Sequence, residues 1–114
     1  MNKQNLLFIC SRNQWRSPTA ELLFKNHPHY NARSAGTSDK AKIKLNQKLI
    51  IWADRIIVME RKHKAIIKTK FSAIIHEKTI VVLDIEDLYN YNNPELLDLL
   101  RYKLSTLLDI HLVE

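Results

Sequence analysis

The chain is poor in the residues that usually carry disulfide, nucleotide-loop and membrane signatures. Among 114 residues there is one cysteine and one glycine. A lone Cys10 permits no internal disulfide and no relay through a second thiol. A lone Gly36 excludes a glycine-rich nucleotide loop, and no Gly-Lys-Ser/Thr ending occurs anywhere. No apolar run approaches the roughly 18 residues needed to span a bilayer. The N-terminus has no apolar segment ahead of a small-residue cleavage site, so no signal peptide is expected. Aromatic residues make up 8% of the chain and do not alternate with basic ones, so no stacking groove for nucleic acid is specified. Repeats and low-complexity linkers are missing too. The expectation is a single domain over residues 1–114 in a reduced, cytoplasmic setting.

Positive charge is in excess, with a formal net charge of +6. It concentrates in mid-chain, at Lys40, Lys42, Lys44 and Lys48 and then Arg61, Lys62, Lys64, Lys68 and Lys70. Such a field attracts anionic partners such as a phosphorylated protein or a small phosphoester. RNA is compatible with it but not specified, and a solvated lysine-rich surface has the same composition. The histidines show no ligand spacing with Cys10, so no metal and no cofactor is expected.

The most informative stretch is Leu6-Leu7-Phe8-Ile9-Cys10 followed by Ser11-Arg12-Asn13-Gln14-Trp15-Arg16-Ser17-Pro18. An apolar strand ends on a cysteine. Five residues later come an arginine, a hydroxyl residue and a proline suited to a first helical turn. Backbone N–H groups and a helix N-terminus in such a loop can wrap an oxyanion. Arg16 offers two aligned donors to it. A free thiol has a pKa near ~8.5, so a sulfur nucleophile needs donors such as Ser17 to hold it as thiolate. The implied chemistry is attack by sulfur on phosphorus.

Patterning predicts strands at residues 5–10, 31–35, 54–59 and 79–84. It predicts helices from Pro18 to about His27, over 41–52 and 60–68, and from Pro94 to about Asp109; residues 70–78 are ambiguous. Repeated strand–helix alternation argues an α/β fold, a four-stranded parallel sheet with helices on both faces. Ligands of such sheets bind beyond the carboxyl ends of the strands, where both Cys10 and Asp87 fall. The only glycine, Gly36, marks a backbone position where a side chain would collide.

Residues 9–21, Ile-Cys-Ser-Arg-Asn-Gln-Trp-Arg-Ser-Pro-Thr-Ala-Glu, resemble the phosphate loop of low-molecular-weight protein tyrosine phosphatases, closest to a compact bacterial branch. Ser34-Ala35-Gly36-Thr37, Ala53-Asp54-Arg55-Ile56-Ile57-Val58-Met59 and Asp84-Ile85-Glu86-Asp87-Leu88-Tyr89 resemble further segments of that family in the same order. The resemblance implies strand order 2-1-3-4 and a phosphomonoester hydrolase acting through a cysteinyl-phosphate. It implies Cys10 as nucleophile, Arg16 as phosphoryl clamp and Asp87 as general acid. Ser11, Arg12, Asn13, Gln14, Trp15 and Ser17 then bind or brace the phosphate, and Tyr89 forms an aromatic wall, with Tyr91 a weaker candidate. Asp84 and Glu86 compete with Asp87. Trp15 is read either as a second wall or, preferred, as an anchor of the loop in the core. Three departures stand out: Arg12 where the family has glycine, Trp15 where it often has cysteine, and Leu88 where proline follows the aspartate. A non-catalytic phosphate- or RNA-binding module is the alternative. Arsenate reduction through a thiol relay is disfavoured by the single cysteine.

Overall fold

The computed structural model describes residues 3–112. Four strands, β1 (Gln4–Cys10), β2 (Tyr30–Gly36), β3 (Arg55–Val58) and β4 (Thr79–Val82), form one parallel sheet in the order β2-β1-β3-β4. The helices are α1 (Arg16–Leu23), α2 (Gln47–Trp52), α3 (Arg61–Lys70), α4 (Ser72–Ile75) and α5 (Pro94–Leu108).

The sheet is buried on both faces because β1 is apolar without interruption. Leu6, Leu7, Phe8 and Ile9 have no solvent exposure, as central parallel strands require. Alternation sends Leu6, Phe8 and Cys10 toward a core shared with Ala20, Phe24, Leu96, Leu100 and Leu104 of the α1/α5 layer. Leu7 and Ile9 enter the opposite core with Leu49, Ile50, Ile67 and Ile75. Each fully buried side chain of this size contributes about 1.5–3 kcal/mol.

Two helices are shorter than the pattern predicts. The α1 helix stops at Leu23, and the next residues tighten into i→i−3 bonds: Lys25 N–H to Leu22 O at 3.2 Å and His27 N–H to Phe24 O at 3.0 Å. Asn26 then turns the chain with φ 59°. Helix α2 begins only at Gln47, because Gly36 draws the preceding residues onto the edge of β2. Gly36 N–H donates to Ile43 O (2.8 Å) and Leu45 N–H to Gly36 O (2.9 Å). Asn46 caps the helix by accepting from Leu49 N–H at 2.9 Å. The ambiguous stretch holds the end of α3 and the short α4.

Parallel register brings Cys10 opposite Gly36 and Ile9 opposite Val58. The segments that follow β1, β2, β3 and β4 therefore emerge together at one edge of the sheet.

Candidate active site

Cys10 closes β1, and residues 11–15 wrap into a loop before α1 starts at Arg16. The loop turns its carbonyls outward. Those of Cys10, Ser11 and Arg12 accept from the backbone N–H groups of Thr37 (3.0 Å), Ser38 (2.9 Å) and Lys42 (3.1 Å). Among the described residues, no backbone N–H of residues 11–17 finds a carbonyl partner. A tight loop with its carbonyls tied back and its donors unspent is a concave anion receptor. Gly36 makes the tie-back possible. A Cβ there would stand 2.5 Å from Ser11 O and 2.6 Å from Ala41 Cβ. The glycine is needed for close approach and not for a left-handed backbone.

The left-handed residue of the loop is Asn13, at φ 56°, a conformation asparagine tolerates. Its amide points behind the loop. Asn13 Nδ2 donates to Ser17 Oγ (3.0 Å) and to Ser34 Oγ (2.8 Å), and Ser34 Oγ donates to Glu21 Oε1 (2.6 Å). Ser17 Oγ accepts from Asn13 and has one proton to give; Cys10 Sγ at 2.9 Å and the Ala35 carbonyl at 3.4 Å both face it, and sulfur is the nearer. Arg12 is exposed and has an ordinary negative φ, so replacing the expected glycine costs no backbone strain there.

A cavity of about 210 Å³ lies over the sulfur, lined by Cys10, Ser11, Arg12, Gln14, Trp15, Arg16 and Asp87. Arg16 is only 2% exposed. Its Nη1 donates to Glu60 Oε1 and to Ile85 O, the latter at 2.8 Å, while Nε lies 3.6 Å from Asp87 Oδ1. Anchoring one Nη fixes the guanidinium plane and leaves the rest of the fork to the cleft. Burial pushes the Glu60 carboxyl upward, but the Arg16 hydrogen bond and charge, with Lys62 and His63, outweigh it and hold Glu60 below the usual range.

Of the three neighbouring acids, only Asp87 lines this cavity. Asp84 lines a separate groove with Arg61, Lys64 and Lys68, and Glu86 is exposed. Trp15 is 40% exposed and stands at the cleft, not in the core. Tyr89 does the reverse. Its ring packs partly buried against the α5-side core instead of walling the cleft, so the aromatic surface beside the sulfur belongs to Trp15. Leu88 projects into solvent, 71% exposed.

No protein-family model matches the chain, and no curated protein matches it. Solved structures do. The tyrosine phosphatase Wzb from Escherichia coli K30, in complex with phosphate, aligns with a TM-score of 0.72 at 22% identity, over 95% of this chain and 98% of that one. A low-molecular-weight protein tyrosine phosphatase from Bacillus subtilis aligns at 0.69 and 24% identity, over 93% and 97%. The YwlE arginine phosphatase from Geobacillus stearothermophilus aligns at 0.68 and 22% identity, over 93% of each chain. The fold is that of the low-molecular-weight protein tyrosine phosphatases.

Within this phosphatase fold, two residues that motif reading passed over join the site. Glu60 and His63 follow β3 at the same sheet edge as Cys10. His63 is completely buried. Its Nδ1 accepts from Glu60 N–H at 3.1 Å, which places the ring proton on Nε2, 2.9 Å from Ser11 Oγ. Burial foremost, then the Arg16 charge, lower its pKa to about 4 against the opposing pull of Glu60 and Asp87, so the ring is neutral at pH 7. The neutral ring donates to Ser11 and leaves the Ser11 proton free for the cleft. The signal available in sequence was positional: any polar residue just after an apolar strand in a parallel sheet falls at the ligand-binding edge.

Proposed function

We propose that the chain is a phosphomonoester hydrolase acting through a cysteinyl-phosphate, with phosphotyrosine in proteins as its substrate class. The observation that carries this reading is the cleft itself: a sulfur at the floor, an anchored guanidinium and a carboxylate on the wall, and loop N–H groups without protein partners. Cys10 Sγ attacks phosphorus in line as the P–O bond to the leaving group breaks. Arg16 and the loop amides hold the equatorial oxygens, where charge spreads in the transition state. Asp87 delivers its proton to the departing oxygen. Water, deprotonated by Asp87, then displaces sulfur and releases phosphate. Ser17 holds the thiolate between turnovers, and Asn13 keeps the Ser17 proton aimed at sulfur. The positive field comes from Arg16 and the loop, so the scheme calls on no metal or cofactor. A reduced, cytoplasmic environment suits a single exposed-to-substrate thiol.

The test is hydrolysis of p-nitrophenyl phosphate in the presence of chelator, with phosphotyrosine and phosphoarginine peptides compared beside it. The arginine phosphatase among the structural relatives is the reason for the second peptide. Cys10→Ser is expected to abolish turnover while phosphate still binds, because serine does not ionise in the same cradle. Substantial turnover by that variant refutes the covalent mechanism, and an inactive parent with intact phosphate binding leaves a binding module.

A further inference from the structure

Beyond the phosphate cleft, Gln14 and Trp15 also line a second, larger groove of about 510 Å³. Its other walls are Pro18, Ile43 and Tyr91, with Lys42 at the side. Trp15, Ile43 and Tyr91 are large apolar side chains, 40%, 50% and 49% exposed. They come from three separate segments: the catalytic loop, the stretch after β2, and the stretch before α5.

The backbone beneath them is fixed. Ile43 O accepts from Gly36 N–H (2.8 Å), Lys42 N–H donates to Arg12 O (3.1 Å), and Asn92 N–H donates to Thr19 Oγ1 (2.9 Å). The polar side chains at the base, Asn13 and Ser34, are already committed to Ser17 and Glu21. The groove therefore offers pre-ordered apolar surface from Trp15, Ile43 and Tyr91, edged by the polar and charged side chains of Gln14, Glu21 and Lys42. Single exposed apolar residues are ordinary, whereas a converging cluster against a reaction cleft is a binding feature. A small phosphoester held over Cys10 leaves this groove empty. A polypeptide advances about 3.3–3.6 Å per residue, so one entering the cleft carries a neighbouring side chain past Trp15.

We propose that this groove is a side-chain subsite that receives an apolar or aromatic residue flanking the phosphorylated residue of a protein substrate. The inference rests on the phosphatase reading above and narrows it to polypeptide substrates with apolar flanks. Trp15 is the shared wall, so occupancy of the groove steadies the phosphoryl group in the cleft.

The experiment compares two phosphotyrosine peptides that differ only in flanking residues, leucine and phenylalanine in one, serine in the other. The expected kcat/KM advantage of the apolar peptide is about 10-fold or more, the scale of burying one such side chain. Ile43→Ser and, separately, Tyr91→Ser are expected to remove most of that advantage while hydrolysis of p-nitrophenyl phosphate stays within about 2-fold of the parent, since neither residue touches the cleft. Calorimetry of both peptides on Cys10→Ser reads the subsite without turnover. Failure to hydrolyse p-nitrophenyl phosphate strikes the hydrolase reading. Equal affinity of Cys10→Ser for the two peptides, or a preference that survives both groove variants, overturns the subsite.

Discussion

Gly36→Ala tests whether the phosphate cradle depends on the close approach of two backbones. An added Cβ would sit 2.5 Å from Ser11 O, where ordinary van der Waals contact begins at 3.4 Å, so the pair must part by about 0.9 Å. Ser11 O is not a flexible tip. It is backbone next to Cys10 and is held by Ser38 N–H at 2.9 Å. A misplacement of about 1 Å near reacting groups costs on the order of 100-fold in rate. Overpacking of this kind destabilises by about 1–3 kcal/mol. The expected outcome is a fall of about 100-fold in kcat/KM for p-nitrophenyl phosphate, with a Tm several degrees lower. A second substitution separates the two collisions. Ala41→Gly removes the side-chain contact at 2.6 Å but not the one with Ser11 O, so Gly36→Ala/Ala41→Gly should regain part of the stability without regaining the lost activity. A Gly36→Ala protein with parental rate and Tm would falsify the reasoning, and recovery of rate in the double variant would assign the effect to Ala41.

Arg16→Lys is expected to lose about 100-fold or more in kcat, because one ammonium cannot both hold the Ile85 carbonyl and clamp two phosphoryl oxygens; steady-state kinetics near parental values would remove Arg16 from the clamp. Asp87→Asn should slow single-turnover phosphorylation more with phenyl phosphate than with p-nitrophenyl phosphate, whose acidic leaving group needs less protonation, and Asp84→Asn and Glu86→Gln should not show this dependence. Equal losses for both esters would dismiss Asp87 as the acid. His63 makes folding pH-dependent in a stated window. Its folded pKa of about 4 lies below the unfolded 6.5, so neither state is charged above pH 6.5. As pH falls from 6.5 to about 4 the unfolded chain takes up a proton that the folded one refuses, costing on the order of 3 kcal/mol; in denaturant titrations His63→Gln should flatten this acid limb. The same pair has a functional signature: His63→Leu should weaken phosphate binding in the parent but not in a Ser11→Ala background, and additive losses would mean His63 does not act through Ser11.

Local sequence determined the reactive loop and the order of elements. The run Leu6–Cys10 is a buried strand by composition alone, and the spacing from Cys10 to Arg16, Ser17 and Pro18 sets the length of the loop and where the helix starts, while Thr37, Ser38 and Lys42 hold the loop's carbonyls from a distant segment. Gly36, the sole glycine, marks a steric requirement in the sequence, and the fold sets the colliding atom, Ser11 O. Tertiary structure decided what stands around that loop. Glu60 and His63 reach Arg16 and Ser11 only because β3 lies beside β1, a neighbour relation that periodicity does not encode. Trp15 and Tyr89 exchange their expected environments for the same reason. Each aromatic ring can cover core or cleft, and the α5-side core, formed by residues far along the chain, takes Tyr89 and leaves Trp15 at the mouth. Residues 41–46 could have continued a helix, but pairing of Ile43 and Leu45 with Gly36 offers their backbone groups partners on the sheet edge. Covalent spacing and side-chain chemistry act over a few residues and can be read directly. The choice between competing burials depends on which surfaces the completed sheet brings together.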